Sequence, residues 1–341
     1  MPSIFFKIQR QHKTTVMSHF LTISDYEPEQ IQFLLDYSKE LHQNPAGELS
    51  GKNIAFVFEK PSLRTKVGTE AAINHLGGDV IHIDADILLS SGKAIPFTSR
   101  ESLKDAMKNV SLWCDALFAR VYSHQTLKNM AEYSSIPIIN ALCDKHHPMQ
   151  ALADLHTLQQ KFGTDKELTV TFVGDANNVA FSLIEILLKF GHTVHFSGPE
   201  SYSWSDDQLR YFALLSVQYK GTFEVFSDPV EAVKLTDAVY TDTFISMGEE
   251  HLYDEKIKHF KPFQVNMELF AHANAEAGFM HCLPAHRGVE VTDEVIDHEN
   301  SWVYQQAENR MIVSKGVFAG LLSGELISSD VPAEEIPAVT G

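Results

Sequence analysis

Residues suited to binding an anion follow a short apolar run at 54–58. Ser62, Arg64 and Thr65 lie just beyond it, before a stretch with helical character. A helix N-terminus presents free N–H groups and partial positive charge. Two hydroxyls and a guanidinium there add donors for a phosphate or a developing oxyanion. An ordinary serine cap beside a surface arginine is the alternative interpretation, and the P-loop pattern is absent.

Two further polar sites come after apolar runs in the first half of the chain. Arg120 follows the run 116–119 and could provide a second contact to an anion. His147 and Gln150 flank Pro148 and could hydrogen-bond a small carbonyl or amide group. Taken alone, a solvated arginine and a structural histidine explain these residues equally well.

The turn 174–178 also follows an apolar run, but it does not carry the dinucleotide fingerprint. GxGxxG is missing, and the acid expected about 20 residues on for a ribose contact is not obvious, since position 195 is His and position 200 is Glu. An NAD-dependent dehydrogenase is therefore a weak hypothesis. Asn177 and Asn178, at a predicted helix start, could instead hold a substrate carboxylate.

Two more apolar runs end in residues with reactive or charged side chains. Asp242 could pair with an amino group, and Ser246 adds a hydroxyl four residues later. Cys282 could act as a nucleophile only if its pKa were depressed. A capping aspartate and a buried, inert cysteine are the common alternatives.

The elements that would position these residues alternate between strand and helix. A helix is predicted at 28–42, and the amphipathic stretch 151–162 is a plausible connector between two βαβ series. This pattern predicts an α/β fold with two doubly wound parallel-sheet domains joined by long helices. Ligands of such sheets bind at the carboxyl ends of strands, where the residues above lie. The predicted strands cover 54–58, 80–83, 116–119, 136–139, 168–173, 193–196, 223–226, 238–241 and 278–281.

Two domains and two terminal segments are expected. A basic, acid-free stretch at 1–16 is interpreted as a flexible extension, with an organelle transit peptide as the alternative. Domains then cover 17–150 and 151–306, and a helix at about 307–325 packs back on the first domain. The acidic tail 328–341 is expected to be loose.

Composition excludes several classes of protein. The 341 residues include 27 Lys and Arg against 45 Asp and Glu, a formal charge of −18. Such a surface repels nucleic-acid backbones and anionic membranes, and no apolar run is long enough to span a bilayer. Three cysteines without CxxC or HExxH spacing predict an intracellular protein with no disulfide framework and no metal site.

Six segments, in order and in register, resemble the aspartate/ornithine carbamoyltransferase family, and within it the ornithine enzymes. The resemblance covers roughly residues 18–325. It implies transfer of a carbamoyl group from carbamoyl phosphate to the δ-amine of L-ornithine, giving L-citrulline in arginine metabolism. The six segments are FEKPSLRT (58–65), HPMQ (147–150), GDANN (174–178), DTFISMG (242–248), MHCLPA (280–285) and AENR (307–310).

The resemblance also implies residue roles. The first domain would bind carbamoyl phosphate and the second the amino acid, with Cys282 and Asp242 orienting the attacking amine. The expected carbamoyl phosphate contacts are Ser62, the Leu63 backbone, Arg64, Thr65, Arg120, His147, Gln150, Cys282, Leu283 and Arg310. The expected ornithine contacts are Asn177, Asn178, Asp242, Ser246 and Met247. Arg64, Arg120, His147, Asp242 and Cys282 form the implied catalytic set.

The same resemblance implies no metal or cofactor, a cytoplasmic location, and a homotrimer or a multiple of trimers. Two features depart from the family pattern. Leu63 stands where many relatives have Thr, and the predicted loop 88–102 is long and lacks the Gln that contacts phosphate in a neighbouring subunit. Lys93 or Arg100 is a candidate replacement. The direction of flux is not fixed by the sequence.

Two alternative functions stay open. A sister carbamoyltransferase could use putrescine or aspartate, although Ser246 and Met247 favour an amino acid with α-carbon groups. Glu249 and Glu250 next to them do not suit a second substrate carboxylate. A non-catalytic binding protein on the same scaffold is the alternative from another class.

Overall fold

The first half of the chain folds around a four-stranded parallel sheet. The structure is a computed structural model that describes residues 19–89, 101–245 and 250–323. The strand order is β2-β1-β3-β4. The strands are β1 Asn53–Phe58, β2 Asp79–Asp84, β3 Ala116–Arg120 and β4 Ile138–Leu142. The helices are α1 Pro28–Gln43, α2 Leu63–His75, α3 Ala85–Leu89, α4 Leu103–Trp113, α5 His124–Tyr133 and α6 Pro148–Phe162.

The second half folds around a five-stranded parallel sheet of order β7-β6-β5-β8-β9. Its strands are β5 Thr169–Val173, β6 Thr193–Ser197, β7 Thr222–Phe226, β8 Ala238–Tyr240 and β9 Gly278–Met280. The helices are α7 Asn178–Lys189, α8 Asp206–Tyr219, α9 Pro229–Val233, α10 Tyr253–Phe260, α11 Met267–Phe270, α12 Asp293–Ile296 and α13 Val303–Ser323. Single 3-10 turns lie at Glu200–Tyr202, Glu250–Leu252 and Lys261–Phe263.

Both sheets are doubly wound, which confirms the predicted fold class. All strands are parallel, and the direction in which successive strands are added to the sheet reverses between β1 and β3 in one sheet and between β5 and β8 in the other. At such a switch point the adjacent loops diverge and leave a crevice for a ligand. Helices cover both faces of the sheets, so the middle four residues of β1 are all buried.

Long helices join the two halves. The α13 helix packs against α1, α2 and α6. Gly316 allows α13 to pack closely against α1, because a Cβ at this position would lie 2.0 Å from Ser38 Oγ and 2.6 Å from the Leu34 carbonyl oxygen. The helix begins at Val303 rather than at the predicted 307, since Trp302 and the residues before it return from the sheet edge.

The predicted loop 88–102 is shorter than expected at both ends. Leu88 is buried in α3, and Ser102 caps α4 by accepting a hydrogen bond from the Asp105 N–H at 3.1 Å. Lys93 and Arg100 lie outside the described residues, as do the predicted extension 1–16 and tail 328–341. Within the described ranges, no helix is both long and apolar enough to cross a bilayer.

Candidate active site

A cavity of about 680 Å³ lies where the carboxyl ends of the two sheets face each other. It lies at the switch points of both sheets, where the crevice rule places ligands. Residues singled out from separate sequence segments therefore line one cavity. The predicted residues that line it are Ser62, Arg64, Thr65, Arg120, His147, Asn177, Asn178, Asp242, Cys282, Leu283 and Arg310.

The first switch point builds an anion-binding helix start. Ser62 is the N-cap of α2, and its Oγ accepts from the Thr65 N–H at 3.4 Å and donates to Thr65 Oγ1 at 3.0 Å. This cap aims the first turn of the helix, with its free N–H groups, toward the cavity. Leu63, the first helical residue, points away, with 73% of its surface exposed. Only its backbone is available to a ligand there.

Three arginines, Arg64, Arg120 and Arg310, form a cationic wall of the cavity. Burial lowers the pKa of Arg64, Arg120 and Arg310, and that of Arg310 falls to about 10, so all three stay charged at neutral pH. Arg64 further lowers the pKa of Arg120 by repulsion. The Nε of Arg120 is buried without a hydrogen-bond partner among the described residues. A multiply charged anion would relieve this repulsion and satisfy that donor.

Arg310 fixes the protonation of His147. Its Nη1 lies 3.3 Å from His147 Nε2, and a guanidinium can only donate, so Nε2 accepts and the proton is on Nδ1. Burial, followed by Arg310 and Arg120, holds the pKa of His147 well below its ordinary value. Nδ1 has no partner among the described residues. His147 is therefore a neutral imidazole with a free N–H donor.

The second switch point carries amides and a carboxylate. Asn177 caps α7 through its Oδ1, and its Nδ2 donates to Asp242 Oδ2 at 3.0 Å. Asn178 begins the helix and donates to the Cys143 carbonyl at 2.6 Å. Asp242 lies at the end of β8 and is only 5% exposed. The sheet topology thus brings together a carboxylate and two amides from segments about 65 residues apart.

The end of β9 brings Cys282 to the same carboxylate. Cys282 Sγ donates to Asp242 Oδ1 at 3.0 Å. Burial first, and Asp242 next, raise the pKa of this thiol well above its ordinary value, so it is a protonated donor rather than a thiolate. Leu283 has a left-handed φ of 55° and is held by donation of its N–H to His281 Nδ1 at 2.8 Å.

Some predicted residues do not line the cavity. Gln150 is buried behind the wall and contacts it through Arg310, whose Nη1 donates to Gln150 Oε1 at 2.6 Å. Ser246 and Met247 lie outside the described residues, so their predicted contacts to the amino acid stay predictions.

Other residues at this site were missed by the sequence analysis. Lys256 pairs with Asp175 at 2.8 Å, and both line the cavity. The spacing of Lys256 from Phe260, four residues later, places both on one face of a helix, which is the buried face of α10. This spacing is the sequence pattern that could have identified Lys256. The donor atoms of Asp242, His281 and Cys282 all lie within 4.8 Å, so this group could also hold a metal ion. Sequence spacing could not show this, since two strands contribute.

Comparison with known proteins decides the family. The carbamoyl-P binding domain of the aspartate/ornithine carbamoyltransferases matches residues 18–160, and their Asp/Orn binding domain matches residues 166–321. The chain belongs to the aspartate/ornithine carbamoyltransferase family. The resemblance inferred from six short segments is therefore confirmed for the whole length of both domains.

Relatives within this carbamoyltransferase family agree. The chain is 44% identical over 310 residues to the ornithine carbamoyltransferase of Pyrococcus abyssi, covering 89% of this chain and 95% of the relative. It is 41% identical to that of Shewanella oneidensis, covering 90% and 100%. The solved structure of the Pyrococcus furiosus ornithine carbamoyltransferase superposes with a TM-score of 0.83 at 41% identity, covering 90% and 97%.

Proposed function

We propose that this carbamoyltransferase transfers the carbamoyl group of carbamoyl phosphate to the δ-amine of L-ornithine, giving L-citrulline and phosphate. One observation carries the proposal. The cationic wall of Arg64, Arg120 and Arg310 and the Asp242 group line a single cavity. The first suits a dianionic phosphate ester, and the second suits an amino acid. The named relatives are ornithine carbamoyltransferases.

Carbamoyl phosphate would occupy the first-domain side of the cavity. Ser62, Thr65 and the α2 N-terminus would bind its phosphate together with Arg64 and Arg120. The free Nδ1–H of His147 would donate to its carbonyl oxygen. Arg310 and the peptide groups of Cys282 and Leu283 would complete the pocket, with Gln150 supporting Arg310 from behind.

Ornithine would occupy the side of the second domain. Asn178, with Asn177 beside it, would bind the α-carboxylate at the start of α7, where the helix dipole favours an anion. Asp242 would pair with the α-amine, and Ser246 and Met247 would add contacts to the same end of the molecule. This arrangement directs the δ-amine toward the arginine wall.

The reaction needs these groups in place before it starts. The δ-amine nitrogen forms a bond to the carbonyl carbon, and the bond from that carbon to the phosphate oxygen breaks. Negative charge develops on the carbonyl oxygen and on the leaving phosphate, and fixed donors such as Arg120 and His147 Nδ1–H stabilise it. Holding both substrates in one cavity removes much of the entropy cost of their encounter.

The attacking amine must be neutral. An alkylamine with a pKa near 10.4 needs about 4 kcal/mol to lose its proton at pH 7.5, at about 1.36 kcal/mol per pKa unit. The neighbouring arginines lower this cost, because like charges disfavour the ammonium form. The Cys282 thiol, which stays protonated, would orient the amine, and Asp242 would accept its proton.

The substrate assignment is tested by a parallel assay of carbamoylated product. With saturating carbamoyl phosphate, we expect kcat/KM for L-ornithine to exceed that for putrescine or L-aspartate by at least ~1,000-fold. Putrescine lacks the α-carboxylate, and aspartate has no side-chain amine to reach the carbamoyl group. Citrulline is measured colorimetrically and the other products by mass spectrometry. Preference for putrescine would overturn the assignment. Carbamoyl phosphate binding without any product would support the non-catalytic alternative.

We propose a homotrimer, or a multiple of trimers, as the working assembly, located in the cytoplasm. An apolar surface supports the contact between copies: Ile81 on the edge strand β2, Ile87 on α3, and Leu112 and Trp113 on α4 are 40–78% exposed. Three of them, Ile81, Ile87 and Trp113, line a groove of about 300 Å³. A contiguous apolar patch of this kind is typical of an interface. The three cysteines are free, which suits a reducing compartment.

Charges on this patch should break the assembly. We expect Trp113→Glu combined with Ile87→Asp to lower the mass in solution from three or more times 38.3 kDa to 38.3 kDa, because the charged side chains cannot be buried at the contact. Light scattering coupled to gel filtration measures the mass. Leu214→Asp, at a 62% exposed position on α8, is the matched control and should leave the mass unchanged. An unaltered assembly in the double variant would place the interface elsewhere.

A further inference from the structure

A carboxylate that does not touch the cavity lies directly behind both halves of the site. Asp154 is on α6, one turn after Gln150, and is fully buried. Burial raises the pKa of Asp154 to about 6, while hydrogen bonds from Gln306 and Gln150 oppose this rise. The group is therefore ionised at the pH of the assay. Burial of a carboxylate costs folding free energy unless hydrogen bonds satisfy its oxygens.

Two glutamine amides converge on one oxygen of this carboxylate. Asp154 Oδ1 accepts from Gln150 Nε2 at 2.8 Å and from Gln306 Nε2 at 2.7 Å. An ionised carboxylate only accepts hydrogen bonds, so it forces the NH₂ group of each amide toward itself. The Oε1 atom of each amide must then face the opposite way.

Each outward-facing oxygen holds a different half of the site. Gln150 Oε1 accepts from Arg310 Nη1 at 2.6 Å, on the side that would grip carbamoyl phosphate. Gln306 Oε1 accepts from the His281 N–H at 2.9 Å, at the end of β9 just before Cys282. A flipped amide would present NH₂ to a guanidinium or to an N–H and repel it.

We propose that Asp154 is a positioning residue that sets the orientation of both amides, and so aligns the carbamoyl side and the amine side of the site together. The inference rests on the proposed function. It also predicts which kinetic constant each amide controls: Arg310 lines the cavity where carbamoyl phosphate would bind, so the Gln150 arm acts on the KM for carbamoyl phosphate.

The two arms can be separated by mutation. Asp154→Leu removes the acceptor from both amides. We expect kcat to fall at least ~100-fold and the KM for carbamoyl phosphate to rise at least ~10-fold, because Arg310 loses the support of an oriented Gln150. Gln306→Leu cuts only the arm to His281. It should lower kcat or raise the KM for ornithine at least ~10-fold and leave the KM for carbamoyl phosphate unchanged.

Controls keep the outcome decisive. Asp165→Leu, an exposed acid just beyond the end of α6, should match the wild type. If Asp154→Leu does not fold, Asp154→Asn serves, because its added donor weakens the enforced orientation; the KM for carbamoyl phosphate should then rise at least ~3-fold. A folded Asp154 variant that keeps the wild-type KM for carbamoyl phosphate, or a Gln306→Leu variant that raises it, overturns the inference. Failure of the wild-type enzyme to form citrulline would overturn the proposed function instead.

Discussion

Replacing Arg64 with glutamine should lower kcat/KM for carbamoyl phosphate at least ~1,000-fold. Arg64 lies in the first turn of α2 and lines the cavity. In the proposed reaction it binds the phosphate and stabilises its departure. Loss of one preorganised donor to a developing oxyanion costs about 2.7–4 kcal/mol, and loss of a charged contact to the ground state adds to this. The sum corresponds to three powers of ten or more.

The measurement is steady-state citrulline formation with carbamoyl phosphate varied at saturating ornithine. Because Arg64 is only half-buried and donates to no described carboxylate, the variant should keep its Tm within a few degrees. Arg210→Gln is the matched control, since Arg210 lies on the surface of α8 and pairs only with nearby Asp207 among the described residues. Activity within tenfold of the wild type in a folded Arg64→Gln protein would show that Arg64 does not bind the phosphate.

The positions of the cavity residues could be predicted because they follow strands. A parallel sheet aligns the carboxyl ends of its strands, so residues at 62–65 and 120 had to meet if β1 and β3 were neighbours. The same holds for 177 and 242 after β5 and β8. The period of the hydrophobic pattern and the residue composition are local signals. They locate the end of a strand without knowledge of its partner strand.

The supporting network could not be predicted, because it depends on contacts distant in sequence. Asp154 and Gln306 are 152 residues apart, and neither was among the predicted site residues. Likewise, the tautomer of His147 is decided by Arg310, 163 residues later.

The charge distribution also acquires a meaning only in the structure. A chain of net charge −18 repels anionic substrates at long range. Three arginines from α2, β3 and α13 nevertheless converge on one cavity, where burial lowers the pKa of each. Binding of carbamoyl phosphate is therefore favoured locally, where the low dielectric strengthens the attraction, rather than by steering from the bulk.

Asp242→Asn should raise the KM for ornithine at least ~100-fold while leaving the KM for carbamoyl phosphate within threefold. Asp242 accepts from both Asn177 and Cys282, so an amide there loses the charge and turns one acceptor into a donor. Loss of a charged hydrogen bond in a buried site costs about 1.5–3 kcal/mol, and an unsatisfied partner adds to this. The arginine wall is contributed by other elements and is not altered.

L-norvaline separates the two roles open to Asp242, because it has the α-amino and α-carboxyl groups of ornithine but no δ-amine. If Asp242 holds the α-amine, Asp242→Asn weakens norvaline binding to the carbamoyl phosphate complex as much as it weakens ornithine binding. Calorimetric titration measures both, and Asp144→Asn, at an exposed position on the cavity rim, is the control. Unchanged norvaline affinity would contradict the α-amine contact. It would indicate instead that Asp242 contacts the δ-amine, beside the Cys282 thiol that already donates to Asp242.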